Sequence, residues 1–133
     1  MPPEVVLKAP VFEMVLSSRV NPPNESVAIA FLATDRRKFE LEFSITCTPL
    51  TIAALAAELG RLASTLPADK QPRYQPIVVK RCQPAMRDNG SLALILHLET
   101  GAQLPLEFPA ESLAGLSATF SEMAKMVGPR PLH

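Results

Sequence analysis

Tryptophan is missing from the sequence and tyrosine occurs once, at Tyr74. No aromatic residues interleave with the basic runs to stack on unpaired bases. Glycine is scarce as well, five residues scattered along the chain, which excludes a glycine-rich phosphate loop. No serine stands in a G-x-S-x-G frame, so the sharp strand-to-helix turn of a serine nucleophile is absent. The two cysteines, Cys47 and Cys82, have no C-x-x-C partner and the two histidines no H-x-x-H spacing, so neither supplies a zinc signature. Neither sign of charge is in excess, with 13 Lys and Arg against 13 Asp and Glu. A neutral total lacks the basic field that DNA, RNA or an anionic membrane would need, so nucleic acid is an unlikely partner. No apolar run approaches the roughly 20 residues of a membrane span. The opening MPPEVVLKAP has neither the basic start nor the apolar run of an export leader. The expected location is the cytoplasm, with both thiols reduced.

What is plentiful is proline, with 14 residues, and hydrophobic side chains, at 47% of the chain. Both fall in an ordered way, and the order repeats. Residues 26–43 lie on residues 91–108 at an offset of 65 without a gap. Ser26 meets Ser91, Ala28 meets Ala93, and Leu41-Glu42-Phe43 meets Leu106-Glu107-Phe108. At an offset of 61, Ile52, Leu55, Leu59 and Leu62 meet Leu113, Leu116, Phe120 and Met123. At an offset of 72, Val5-Val6-Leu7-Lys8 meets Ile77-Val78-Val79-Lys80 and Met14 meets Met86. The offsets change between elements, where insertions cost least. Two related halves are expected.

Each half reads as three strands and a helix. Residues 4–17 form the first strand, interrupted by Pro10, and residues 19–25 a loop rich in Asn and Pro. Residues 26–34 and 38–46 are strands, the second alternating Phe39, Leu41, Phe43 and Ile45 against Glu40, Glu42 and Ser44. Cys47 continues the inward set. Thr48-Pro49 opens a helix that should reach Leu66, with Ile52, Leu55, Leu59, Leu62 and Leu66 on one stripe. The second half repeats this with strands over 77–86, 91–99 and 103–108 and a helix from Pro109 to Val127, stopped by Gly128-Pro129. Keeping apolar side chains on one face requires a three-residue hairpin loop, placed at residues 100–102 and 35–37, which sets Leu96 against Leu106 and Leu94 against Phe108.

The expected architecture is α+β: two tandem βββα units, 1–66 and 76–127, mainly antiparallel, with helices packed on one face of the sheet or sheets. A proline-rich linker spans 67–76, and 128–133 form a frayed tail. Each helix should cover Ile29, Phe31, Leu41 and Phe43, or Leu94, Leu96, Leu106 and Phe108.

The opposite faces of the middle strands are not polar. Ala28, Ala30 and Leu32 in one half, and Ala93 and Ile95 in the other, ask for cover from a sister half or a sister molecule. They are the candidate interface, and the leading expectation is a non-enzymatic module that associates with itself, as a homodimer, or with another protein. The rival is a small-molecule binder or enzyme with a cleft between the halves, lined by His97, Arg81 and Glu99. The third is a weak nucleic-acid binder using Asp35-Arg36-Arg37-Lys38, Arg73 and Lys80-Arg81. Cys82 has cationic neighbours that could lower its pKa. No catalytic set, metal site or cofactor is expected.

Overall fold

The computed structural model describes residues 4–128, which divide between Pro72 and Arg73 into two units. The first comprises β1 (Phe12–Asn21), a turn of 3-10 helix (Pro22–Asn24), β2 (Ser26–Ala33), β3 (Lys38–Ser44) and α1 (Cys47–Ala63). The second comprises β4 (Val79–Met86), β5 (Leu92–Leu98), β6 (Gln103–Phe108), a short 3-10 turn (Ala110–Ser112) and α2 (Leu113–Val127). Each forms an antiparallel three-stranded sheet in sequence order, β1-β2-β3 and β4-β5-β6, followed by its helix. This is α+β structure with a repeat-like, two-unit architecture. The expected tail lies almost entirely outside the described residues.

The hairpins have three-residue loops, but each begins one residue earlier than expected. Ala33 N–H donates to the Arg37 carbonyl and Leu98 N–H to that of Ala102, both at 2.9 Å, so the loops are residues 34–36 and 99–101. The register moves by two residues, pairing Leu96 with Leu104 and Leu94 with Leu106. The cause is the third loop position, which takes the left-handed conformation in both units: Gly101 at φ 96° and Arg36 at φ 72°. That is the usual three-residue solution, a turn followed by a left-handed residue. An even shift leaves every side chain on its expected face.

β1 starts at Phe12 and runs through Arg19 to Asn21, taking in part of the expected loop. Register shifts between Phe12 and Met14 and between Val15 and Ser17 let it follow β2. The ladders also revise the internal alignment. Val20 pairs with Val27 and Met86 with Leu92, so Met86 corresponds to Val20 and not to Met14.

Cys47 is the first residue of α1 and exposed, not an inward strand residue. Ser44 Oγ accepts its N–H at 3.1 Å, so the helix opens one residue before the Thr-Pro signal. It ends at Ala63, short of Leu66, where the side chain of Gln71 donates to the carbonyls of Ala63 and Leu66 at 2.8 Å each. Uncapped carbonyls at a helix end need such a partner.

The apolar face of the first sheet carries an aromatic cluster. Phe12 and Phe31 stack at 4.7 Å, Phe39 leans in at 5.6 Å from Phe12, and the Arg37 guanidinium lies over the Phe39 ring at 5.2 Å. Ala33, paired with Phe12, is 0% exposed there. No residue of either helix is buried. The apolar stripes keep much of their area in solvent: Leu55 67%, Leu62 55%, Phe120 47% and Met123 53% exposed.

Candidate functional site

The two outer sheet faces hold every candidate interface residue, and the ladders show how each is surrounded. In the first unit Arg19 sits opposite Ala28, and Glu40 opposite Ala30 on the far side of β2. The Arg19 guanidinium reaches across the strand to Glu40, Nη2 to Oε1 at 2.6 Å and Nε to Oε2 at 3.2 Å. One step along, Asn21 Nδ2 donates to Glu42 Oε1 at 2.7 Å and Ser26 Oγ to the same oxygen at 2.5 Å. Two polar bridges thus cross β2, one on either side of Ala28, and Ala28 is 1% exposed although it lies on the outer face. Ala30 and Leu32 are half-buried. A small side chain is what lets long polar ones lie over the strand, as snorkelling side chains do.

The second unit keeps half of this device. Ser91 Oγ donates to Glu107 Oε1 at 2.5 Å and Arg87 Nη1 to Glu107 Oε2 at 3.0 Å, where Arg87 holds the place of Asn21. The other bridge is gone. Ala85 is opposite Ala93 and Pro105 opposite Ile95, the positions that Arg19 and Glu40 hold in the first unit. A shallow depression of about 280 Å³ opens there, lined by Ala85, Ala93, Ile95, Pro105, Arg87 and Glu107 among others. Ala93 and Ile95 are half-buried beneath it.

The carboxyls of these networks are acidified. Glu42 lies below the ordinary carboxylate value because Ser26 and then Asn21 hydrogen-bond to it, and Glu107 because of the Ser91 hydroxyl and the Arg87 charge. Glu40 lies below it through its bond and charge pairing with Arg19, whose own pKa rises for the same reasons.

His97 and Arg81 do come together, as direct cross-strand partners. The bonded neighbour of His97 is one that sequence reading missed: its Nε2 lies 3.1 Å from Gln83 Oε1. Gln83 alternates with Arg81 on β4, so a same-face search from His97 would have found it. Glu99 sits in the hairpin loop, its N–H donating to the Val78 carbonyl at 3.2 Å. Its carboxylate makes no hydrogen bond or ion pair among the described residues. The neighbour bonded to His97 is an amide, and among the described residues no carboxylate orients its ring as in a general base. Among the described residues, no group of three or more His, Cys, Asp or Glu could hold a metal ion, and no helix is long and apolar enough to cross a membrane. The basic hairpin tip is paired locally, Arg37 with Asp35 at 2.8 Å and Arg36 with Glu13 at 3.6 Å.

Compared with protein-family models, with curated proteins and with solved structures, the chain matches none.

Proposed function

We propose that this protein is a non-enzymatic interaction module that associates with a second copy of itself. The carrying observation is exposed surface. Large apolar side chains stand open in both units, among them Ile45, Leu55 and Leu62 in the first and Phe120, Met123 and Val127 in the second. Both helix stripes and several sheet residues, Val15, Val20 and Leu41 among them, are accessible, and contiguous apolar surface of this kind marks an association site. Obligate homodimers cover such surface, burying about 2,000–5,000 Å². The half-buried Ala30, Leu32, Ala93 and Ile95 belong to this reading as part of the covered surface.

The rival reading, a small-molecule site at His97, Arg81 and Glu99, draws less support. The depression beside Ala93 and Ile95 lies further along the sheet, and its volume of about 280 Å³ is just under the range for ligand pockets, about 300–1,000 Å³. Nucleic-acid binding is weakened by the local pairing of Arg36 and Arg37.

Thermal unfolding of the full chain at several concentrations tests the proposal. A melting temperature that climbs with protein concentration is expected, because association stabilises only the folded state. A concentration-independent melt with a monomeric mass would overturn it.

A further inference from the structure

The two sheets have four open edges, and three carry devices that discourage pairing. β1 is bulged twice, between Phe12 and Met14 and between Val15 and Ser17. β4 contains Pro84 and a register shift between Val79 and Arg81, and β6 contains Pro105. The hairpin bonds fix which way the prolines face. Arg87 N–H bonds to Ser91 and Leu98 N–H to Ala102, so alternate positions point inward, and the missing donors of Pro84 and Pro105 fall on the open side. Prolines and bulges at such places are how natural sheets prevent edge-to-edge association.

β3 has neither proline nor bulge, and it pairs with β2 without a shift from Ser26–Ser44 to Leu32–Lys38. The bonds Ala33 N–H to Arg37 and Ile45 N–H to Glu25 show that its odd-numbered residues face β2. The backbone groups of Lys38, Glu40, Glu42 and Ser44 therefore face outward. The Ser44 carbonyl already accepts one bond, from Thr48 Oγ1 at 2.8 Å, so the stretch of edge with no other bond to its outward groups is Lys38, Glu40 and Glu42.

We infer that β3 pairs antiparallel with β3 of a second copy about a two-fold axis at Glu40, joining two three-stranded sheets into one. This rests on the self-association proposed above and names the surface that does it. The register uses only the free groups: Glu40 opposite its own counterpart, and Lys38 opposite Glu42 of the other copy, twice. Registers shifted further along would set Lys38 or Glu40 against Ser44, whose carbonyl already accepts from the start of α1. The charges agree. Glu42 presents a carboxylate opposite the partner's lysine, and each central Glu40 is neutralised by its own Arg19. On the opposite face Phe39 meets Leu41 of the partner strand, carrying the apolar surface across the joint.

Amide hydrogen exchange of the unmodified full chain reads this directly. Phe39, Leu41 and Phe43 are protected by the β2 ladder in any assembly, whereas Lys38, Glu40 and Glu42 should be protected only in the dimer, losing protection on dilution. Charge reversal supplies a second arm: Lys38→Glu and Glu42→Lys should each weaken dimerisation at least tenfold, and mixing the two variants should restore it as a heterodimer. Dimers whose Lys38, Glu40 and Glu42 amides exchange freely overturn the β3 joint and leave self-association standing. A chain that stays monomeric overturns both. Protection of those amides in a monomer would put another segment of the same chain on the edge and would equally overturn the joint.

Discussion

Ser91 Oγ donates to Glu107 Oε1 over 2.5 Å, and Ser26 makes the same bond to Glu42 at the same length, 65 positions earlier. A hydroxyl and a carboxylate kept at matching places in two sheets bear more on a common plan than shared apolar alternation does. Alternation follows from any half-buried strand, whereas this contact needs two particular side chains on two particular strands.

Acid should destabilise the fold through these contacts. Glu42 and Glu107 are held below their ordinary 4.5, as is Glu40, and Asp35 is held below 3.8 mainly by the Arg37 backbone N–H. A depressed folded pKa means that the unfolded chain binds more protons. The stabilisation is therefore complete above the unfolded value and is lost as pH falls through the folded one. Urea midpoints should be insensitive to these groups near neutrality and decline below about pH 4.5. Glu42→Gln should flatten part of that decline, and an unchanged acid slope in the variant would show that Glu42 contributes nothing to it.

Ala28 and Ala93 occupy equivalent strand positions under different cover. Ala28 is enclosed by the Arg19–Glu40 and Asn21–Glu42 bridges, while Ala93 borders an open depression. Ala28→Leu should cost about 1–3 kcal/mol by overpacking. Ala93→Leu should cost less than about 1 kcal/mol in the same chemical denaturation assay. Equal costs would mean that the bridges do not set the difference.

The left-handed loop positions should respond in opposite directions. Arg36 sits at φ 72°, a conformation that costs a non-glycine residue about 1–2 kcal/mol, so Arg36→Gly should be neutral to stabilising by up to about 1 kcal/mol. Gly101→Ala at φ 96° should destabilise by about 1 kcal/mol, through the backbone alone, since nothing lies within 4 Å of the added methyl group. Thermal melts of the two variants check both signs.

The helix stripes offer the sharpest contrast between a lone chain and an assembly. Leu55 and Met123 are more than half exposed, and surface substitutions of such residues ordinarily change stability by within about 0.5 kcal/mol. If the stripes lie in the interface, Leu55→Asp or Met123→Asp should lower the dimerisation constant by tenfold or more while leaving the circular dichroism spectrum of the chain unchanged. Light scattering of each variant against the parent gives the answer.

How much of this was legible beforehand can be seen residue by residue. Period-two alternation from Phe39 to Phe43 fixed which side chains share a face, and that survived a two-residue shift of register because face depends only on parity. The loop position itself was not legible, since any odd loop satisfies the alternation, and the left-handed site was marked only by Gly101 in one unit and by Arg36 in the other. In the sequence Ala28 reads as apolar surface awaiting cover. Its cover comes from Arg19, Asn21, Glu40 and Glu42 on flanking strands, and alternation along one strand carries no information about its neighbours. Arg81 and His97 pair across β4 and β5, and Gln83, which does not titrate, carries no signal in the sequence of the bond it makes to His97.

Sedimentation velocity of the full chain over a hundredfold range of concentration bears most directly on self-association. A species of about twice 14.4 kDa that dissociates on dilution is the predicted result. A single 14.4 kDa species, folded and unchanged at the highest concentration, would contradict it.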